Sequence, residues 1–102
     1  MTTKLSPLAI VSKGEPWGTS LQGYTKTTFA ALVATMGKPH SRNGDKTTVE
    51  WSWKLENGES FTVYDWKERS TPEGIYMWHI GGHSQQALAA FRRFTGLPAF
   101  PV

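Results

Sequence analysis

Thr47-Thr-Val-Glu-Trp-Ser-Trp-Lys-Leu-Glu-Asn-Gly-Glu-Ser-Phe-Thr-Val-Tyr-Asp-Trp-Lys67 is the stretch on which the fold of this chain turns. Its first half alternates: Val49, Trp51, Trp53 and Leu55 point one way, Thr48, Glu50, Ser52 and Lys54 the other. A period of two marks a strand with two unlike faces. Asn57-Gly58 is a strong hairpin signal, because both residues tolerate the positive φ of a type I′ turn. A two-residue loop pairs Glu56 with Glu59, and hence Trp53 with Thr62, Trp51 with Tyr64 and Val49 with Trp66. One face then holds Val49, Trp51, Trp53, Leu55, Thr62, Tyr64 and Trp66; the other holds Glu50, Ser52, Lys54, Phe61, Val63 and Asp65. A slip of one residue would move a whole set of side chains to the opposite face.

Upstream, Phe29, Leu32, Val33 and Met36 fall at i, i+3, i+4 and i+7, the apolar stripe of a helix. Thr25 or Lys26 starts it, Gly37 suits its C-terminal cap, and Pro39 prevents continuation. Residues 1–18 carry Pro7, Gly14, Pro16 and Gly18 and read as an irregular arm, with a short strand at Leu8–Ser12; a second short strand follows at Ser20–Tyr24. Downstream, Glu68–Gly74 is a charged loop and Ile75–Ile80 a third strand. A second helix runs from Ser84, a good N-cap, to about Phe94, with Ala87, Leu88, Phe91 and Phe94 on its stripe and Gly96 as its stop. The Pro-rich tail, 97–102, is apolar and non-helical. The order β-α-β-β-β-α predicts an α+β domain: an antiparallel sheet of three to four strands with both helices on one face.

The 102 residues suit a single domain spanning 1–102. With no Cys, the chain has no disulfide scaffold, cysteine zinc site or thiol chemistry. Its longest apolar run near the N-terminus, Leu8–Val11, is too short for a signal core or membrane span. The net charge of +3 is low for a binder of duplex nucleic acid, so neither a membrane nor a duplex is the expected partner. Five of the thirteen aromatic residues are Trp. Some belong in the core, Trp51 and Trp53 first among them. Trp66 and Trp78, near predicted strand ends, are candidates for stacking on a flat ligand, with Tyr24. Lys67 and Arg69 directly follow Trp66, and Lys26 lies near Tyr24; these cations suit phosphate.

His79-Ile-Gly-Gly-His83-Ser84 reads as a glycine turn entering a helix N-terminus. There Gly81 and Gly82 admit close approach to the backbone, while His79, His83 and Ser84 offer donors. The same residues also fit a tight turn with two satisfied histidines. Neither nucleotide-binding glycine fingerprint is present, and no third ligand joins the two histidines to hold a metal. No carboxylate pair, nucleophile elbow or triad order stands out, so no catalytic residue and no cofactor is assigned.

Gly23-Tyr24, Thr28-Phe29, Leu32, Gly37-Lys-Pro39, Val63-Tyr-Asp-Trp-Lys67 and Trp78-His-Ile-Gly-Gly-His83 together resemble the outline of a group of small phage-encoded proteins. The resemblance covers roughly residues 23–90. Through that outline the chain is similar to anti-defence sponge proteins, which sequester cyclic oligonucleotides or cyclic ADP-ribose-type signals of CBASS and Thoeris immunity. The resemblance implies a non-enzymatic homo-oligomer, dimer or tetramer, binding a small cyclic nucleotide in the cytoplasm of the infected bacterium. It carries over no individual contact residue. A protein-binding inhibitor of a host defence enzyme such as a nuclease, with the Trp-rich surface supplying hot spots, uses the same residue types.

Overall fold

The central hairpin does not adopt the register that a two-residue turn imposes. The computed structural model describes residues 20–44, 46–54 and 60–102. Its elements are β1 (Ser20–Thr27), α1 (Phe29–Met36), β2 (Ser41–Arg42), β3 (Val49–Lys54), β4 (Ser60–Tyr64), β5 (Tyr76–Gly82), α2 (Gln86–Thr95) and β6 (Phe100–Pro101). The strands form one antiparallel sheet in the order β2-β3-β4-β5-β1-β6. The expected arm, the strand at Leu8–Ser12, Leu55 and the Asn57-Gly58 turn lie outside the described residues.

In the hairpin Trp53 pairs with Phe61, Trp51 with Val63 and Glu50 with Tyr64, one residue away from the expected pairing. Strand β3 keeps its facing, whereas every side chain of β4 is reversed. Phe61 and Val63 join Val49 and Trp51 in full burial beneath the helices, and Thr62, Tyr64 and Trp66 turn to the opposite face with Glu50. The reversal buries the more apolar half of β4. It also brings Asp65 inside, where its carboxylate accepts from the Thr48 N–H (2.7 Å), the Thr48 hydroxyl (2.6 Å) and the Val49 N–H (3.4 Å).

The sheet has six strands rather than three to four. Strands β2 and β6 are two-residue edges, read from sequence as part of a polar turn and as the tail; two residues are too few to show a period. Strand β1 runs on to Thr27, so α1 begins at Phe29, not at Thr25 or Lys26. Thr28 caps it, accepting from the Ala31 N–H at 3.1 Å. Helix α2 begins at Gln86 with Gln85, not Ser84, as its N-cap; the Ser84 hydroxyl accepts the Gln86 N–H at 3.1 Å from one residue further back, and the helix ends at Gly96 in the left-handed region.

Both helices cover the same face of the sheet. Phe61 meets Phe91 of α2 edge-on at 5.7 Å, and Phe29 of α1 packs against Trp51 and Trp78. The Trp78 indole N–H donates to the Thr27 carbonyl just ahead of α1, and that of Trp51 to the Gly37 carbonyl just behind it. Trp78 is therefore wholly buried and structural, contrary to its reading as a stacking residue. Its position is mid-strand because β5 continues through Gly81 and Gly82. Among the described residues no helix is long and apolar enough to cross a membrane.

Replacing Asp65 with Ala leaves the half-buried Thr48 donors and the buried Val49 N–H without their acceptor. Each such group costs about 1–3 kcal/mol. Urea denaturation is expected to show a loss of that order or greater, with Asp65→Asn, which keeps one acceptor oxygen, losing less.

Candidate ligand-binding face

Antiparallel pairing draws one straight row of residues across all six strands on the face away from the helices. Phe100 lies opposite Tyr24, Tyr24 opposite His79, His79 opposite Tyr64, Tyr64 opposite Glu50, and Glu50 opposite Ser41. Adjacent strands are about 4.8 Å apart, which sets the spacing of the row. Ring centroids follow it: Tyr24 to His79 is 5.1 Å and His79 to Tyr64 is 5.3 Å. Trp66, two residues beyond Tyr64, stands on the same face, 6.1 Å from Tyr64 and 6.2 Å from His79. A register shift in β1 between Leu21 and Gly23 brings Leu21 to this face beside Tyr24.

Trp66 is 41% exposed, while the other described tryptophans are buried. Together with Tyr64 it forms a wall between two depressions. One, of about 280 Å³, is bounded by Leu21, Tyr64, Trp66 and His79. The other, of about 160 Å³, is bounded by Ser20, Thr47, Glu50, Thr62, Tyr64 and Trp66. Each is smaller than the roughly 300–1,000 Å³ typical of a site for a drug-sized molecule, and so suits a single ring. Beyond Trp66 a wider hollow of about 510 Å³ is lined by Lys46, Lys67 and Arg69, with Glu68, Asn43, Gly44, Thr47 and Thr48. The Lys67 ammonium stands 5.9 Å from the Trp66 ring centroid, within cation–π range. Lys67 takes positive φ (56°), and its N–H donates to the Lys46 carbonyl at 2.7 Å, joining the two loops around that hollow.

The environment sets the charge states. Nδ1 of His79 is out of water and without a partner among the described residues. A proton there would add a buried N–H with no acceptor. Desolvation accordingly pulls the His79 pKa below its ordinary value, with the Asp65 carboxylate partly opposing. Burial raises the pKa of Glu50. Tyr64 is raised as well, by burial first and then by the Glu50 and Tyr24 charges.

Of the residues singled out from sequence, Tyr24, Lys26, Trp66, Lys67, Arg69 and His79 come to this face or its border. Lys26 pairs with Met77, one step along from the row. Gly81 and Gly82 are not a turn: they are paired, buried strand residues. A Cβ at Gly81 would lie 2.6 Å from the Thr62 hydroxyl, and one at Gly82 would collide with the Ala87 methyl. Their lack of side chains makes room for Thr62 and Ala87. His83 and Ser84 are exposed past the end of β5, outside the aromatic row, and Ser84 is engaged in starting α2. Among the described residues no three metal-ligating groups converge. The expected register puts Tyr64 on one aromatic face with Trp51 and Trp66, open to either a core or a stacking role, and gives Glu50, Leu21 and Lys46 no role. The Tyr64-x-Trp66 alternation was the available signal for Tyr64. Compared with protein-family models, curated proteins and solved structures, the chain matches none.

Because the His79 pKa is lowered in the fold, the unfolded chain binds the proton more readily in the window below about 6.5. The His79 contribution to stability is full above that value and is lost as pH falls through the folded pKa. Denaturation midpoints between pH 7.5 and 5 are expected to fall with acidification, and less steeply in His79→Phe.

Proposed function

We propose that the open sheet face binds a small cyclic nucleotide and sequesters it without cleavage, as an anti-defence protein of a phage acting in the cytoplasm of the infected bacterium. The observation that carries the binding is the row Tyr24–His79–Tyr64 with Trp66 beside it, bordered by Lys26, Lys46, Lys67 and Arg69. Rings stack on such a platform for about 1–3 kcal/mol each, and phosphate gains charge-assisted hydrogen bonds from the cations. Two ring-sized depressions on either side of one aromatic wall match a ligand carrying two bases on one phosphodiester ring. The anti-defence setting rests on the sequence resemblance described above.

Sequestration requires nanomolar affinity, near −12 kcal/mol. An open face leaves one side of the ligand in water, so the reading includes a second subunit covering it. Met77 and Phe100, 44% and 51% exposed beside the platform, give that subunit apolar surface to bury. These side chains with Trp66 also favour the second reading, a protein-binding inhibitor of a host enzyme, in which they are the hot spots.

The two separate in one experiment. Purified protein is mixed with cyclic di- and trinucleotides and cyclic ADP-ribose isomers, and free ligand is followed before and after heat denaturation. The nucleotide reading expects one ligand to vanish and return intact. Trp66→Ala should weaken that binding by about 5- to 150-fold, the equivalent of one lost stack, and Lys67→Ala with Arg69→Ala should weaken it further and flatten its salt dependence. If every ligand stays free, the inhibitor reading takes over; a ligand returned altered means catalysis.

A further inference from the structure

We propose that Glu50 selects the base: its carboxylate accepts the ring N–H and the exocyclic amino group of a guanine-type base seated against Tyr64 and Trp66. The inference rests on the nucleotide reading and names which ligand that site takes.

Three observations carry it. Glu50 is the next member of the cross-sheet row after Tyr64, so its side chain lies beside the stacking surface and not beneath it. It shares the smaller depression with Tyr64, Trp66, Ser20, Thr47 and Thr62, whereas the neighbouring depression is bounded by Leu21, Tyr64, Trp66 and His79. Finally, the carboxylate is partly buried, yet no hydrogen bond or ion pair from any described residue reaches it. Half-burial strips part of the hydration of this acceptor without supplying a protein donor in its place. A ligand donor fills that place.

The donor pattern follows from the acceptor. A carboxylate has two oxygens and, when ionised, donates nothing. Guanine presents two adjacent donors on its pairing edge, the ring N–H and the amino group, and so meets both oxygens. Adenine and cytosine each place a ring-nitrogen lone pair beside their amino group, which an anionic oxygen repels. Hypoxanthine keeps the ring N–H and lacks the amino group, making it an intermediate case. The apolar depression on the other side of the wall has no comparable reader, so a two-base ligand needs guanine in one position only.

The test is calorimetric titration of the intact chain with cyclic di-GMP, cyclic di-AMP and the mononucleotides GMP, IMP and AMP. Guanine is expected to exceed adenine by roughly 10- to 100-fold, the range of one bidentate base contact, with IMP between. In Glu50→Gln, which keeps the volume, this preference should shrink to within about threefold while adenine binding changes little. The free Glu50→Gln protein should also melt higher than the parent at neutral pH. Burial raises the Glu50 pKa, so its contribution to stability is present at low pH and lost as pH rises through the folded value. Equal, Trp66-dependent binding of guanine and adenine ligands overturns the role of Glu50 and leaves nucleotide binding standing. A guanine preference that survives in Glu50→Gln overturns that role as well. Failure of every nucleotide to bind removes both. The comparison of GMP, IMP and AMP uses the parent protein alone, so it decides the matter even if the variant does not fold.

Discussion

One buried carboxylate determines which face of the hairpin meets solvent. Asp65 grips the N–H and hydroxyl of Thr48, tying the residue after β4 to the residue before β3. Side chains alternate along a strand, so holding Asp65 inward holds Tyr64 and Trp66 outward. The same anchor reaches the charged loop, since the Thr48 hydroxyl lies 2.8 Å from that of Thr71. Lys67, the next residue after Trp66, then turns the chain through positive φ and bonds back to Lys46. The aromatic wall and its cationic border are in this way consequences of a single polar contact in the interior.

The face opposite the platform is equally constrained. Indole N–H groups of Trp78 and Trp51 reach the carbonyls that bracket α1, so the sheet clamps this helix at both ends. These bonds satisfy the indole N–H groups of Trp51 and Trp78 in the core, whereas that of Trp53 has no partner among the described residues. A stiff underside matters to the proposed binding, because a shallow surface that must reorganise loses affinity to ordering. Large side chains thus serve both faces, and their roles differ by which partner their polar edge finds.

Much of this was legible in the sequence. The apolar stripes of α1 and α2, the alternation of β3, and the placement of Trp51 and Trp53 inside all follow from periodicity. The register does not, for a physical reason: in β4 both alternate sets contain large rings, Phe61 on one and Tyr64 with Trp66 on the other, so pattern alone hardly separates them. Asn57-Gly58 weighed for a two-residue turn, and Asp65 looked like a residue for the wet face. Only the donors supplied by Thr48 and Val49, brought together by folding, make its burial favourable. At the site, Trp66, Tyr24, His79 and the two cations after Trp66 are recognisable by chemistry. Whether Tyr64 faces solvent or core depends on the register, as does any role for Glu50, while Trp78 is buried because β5 outruns the residues that look like a strand.

The pairing of β1 with β5 joins Ser20 to Gly82, across most of the described chain. Bringing such distant segments together carries a large loop-closure entropy, whereas β3, β4 and β5 are consecutive neighbours. The platform straddles that seam, with Tyr24 on one side and His79 and Tyr64 on the other. Half-assembled forms of the protein lack the complete row, so any molecule that spans the seam draws its binding energy from the fully closed sheet and resists its opening. Occupancy by such a molecule and the opening free energy of the β1–β5 junction are thermodynamically linked, and amide exchange along β1 is where the linkage would be read.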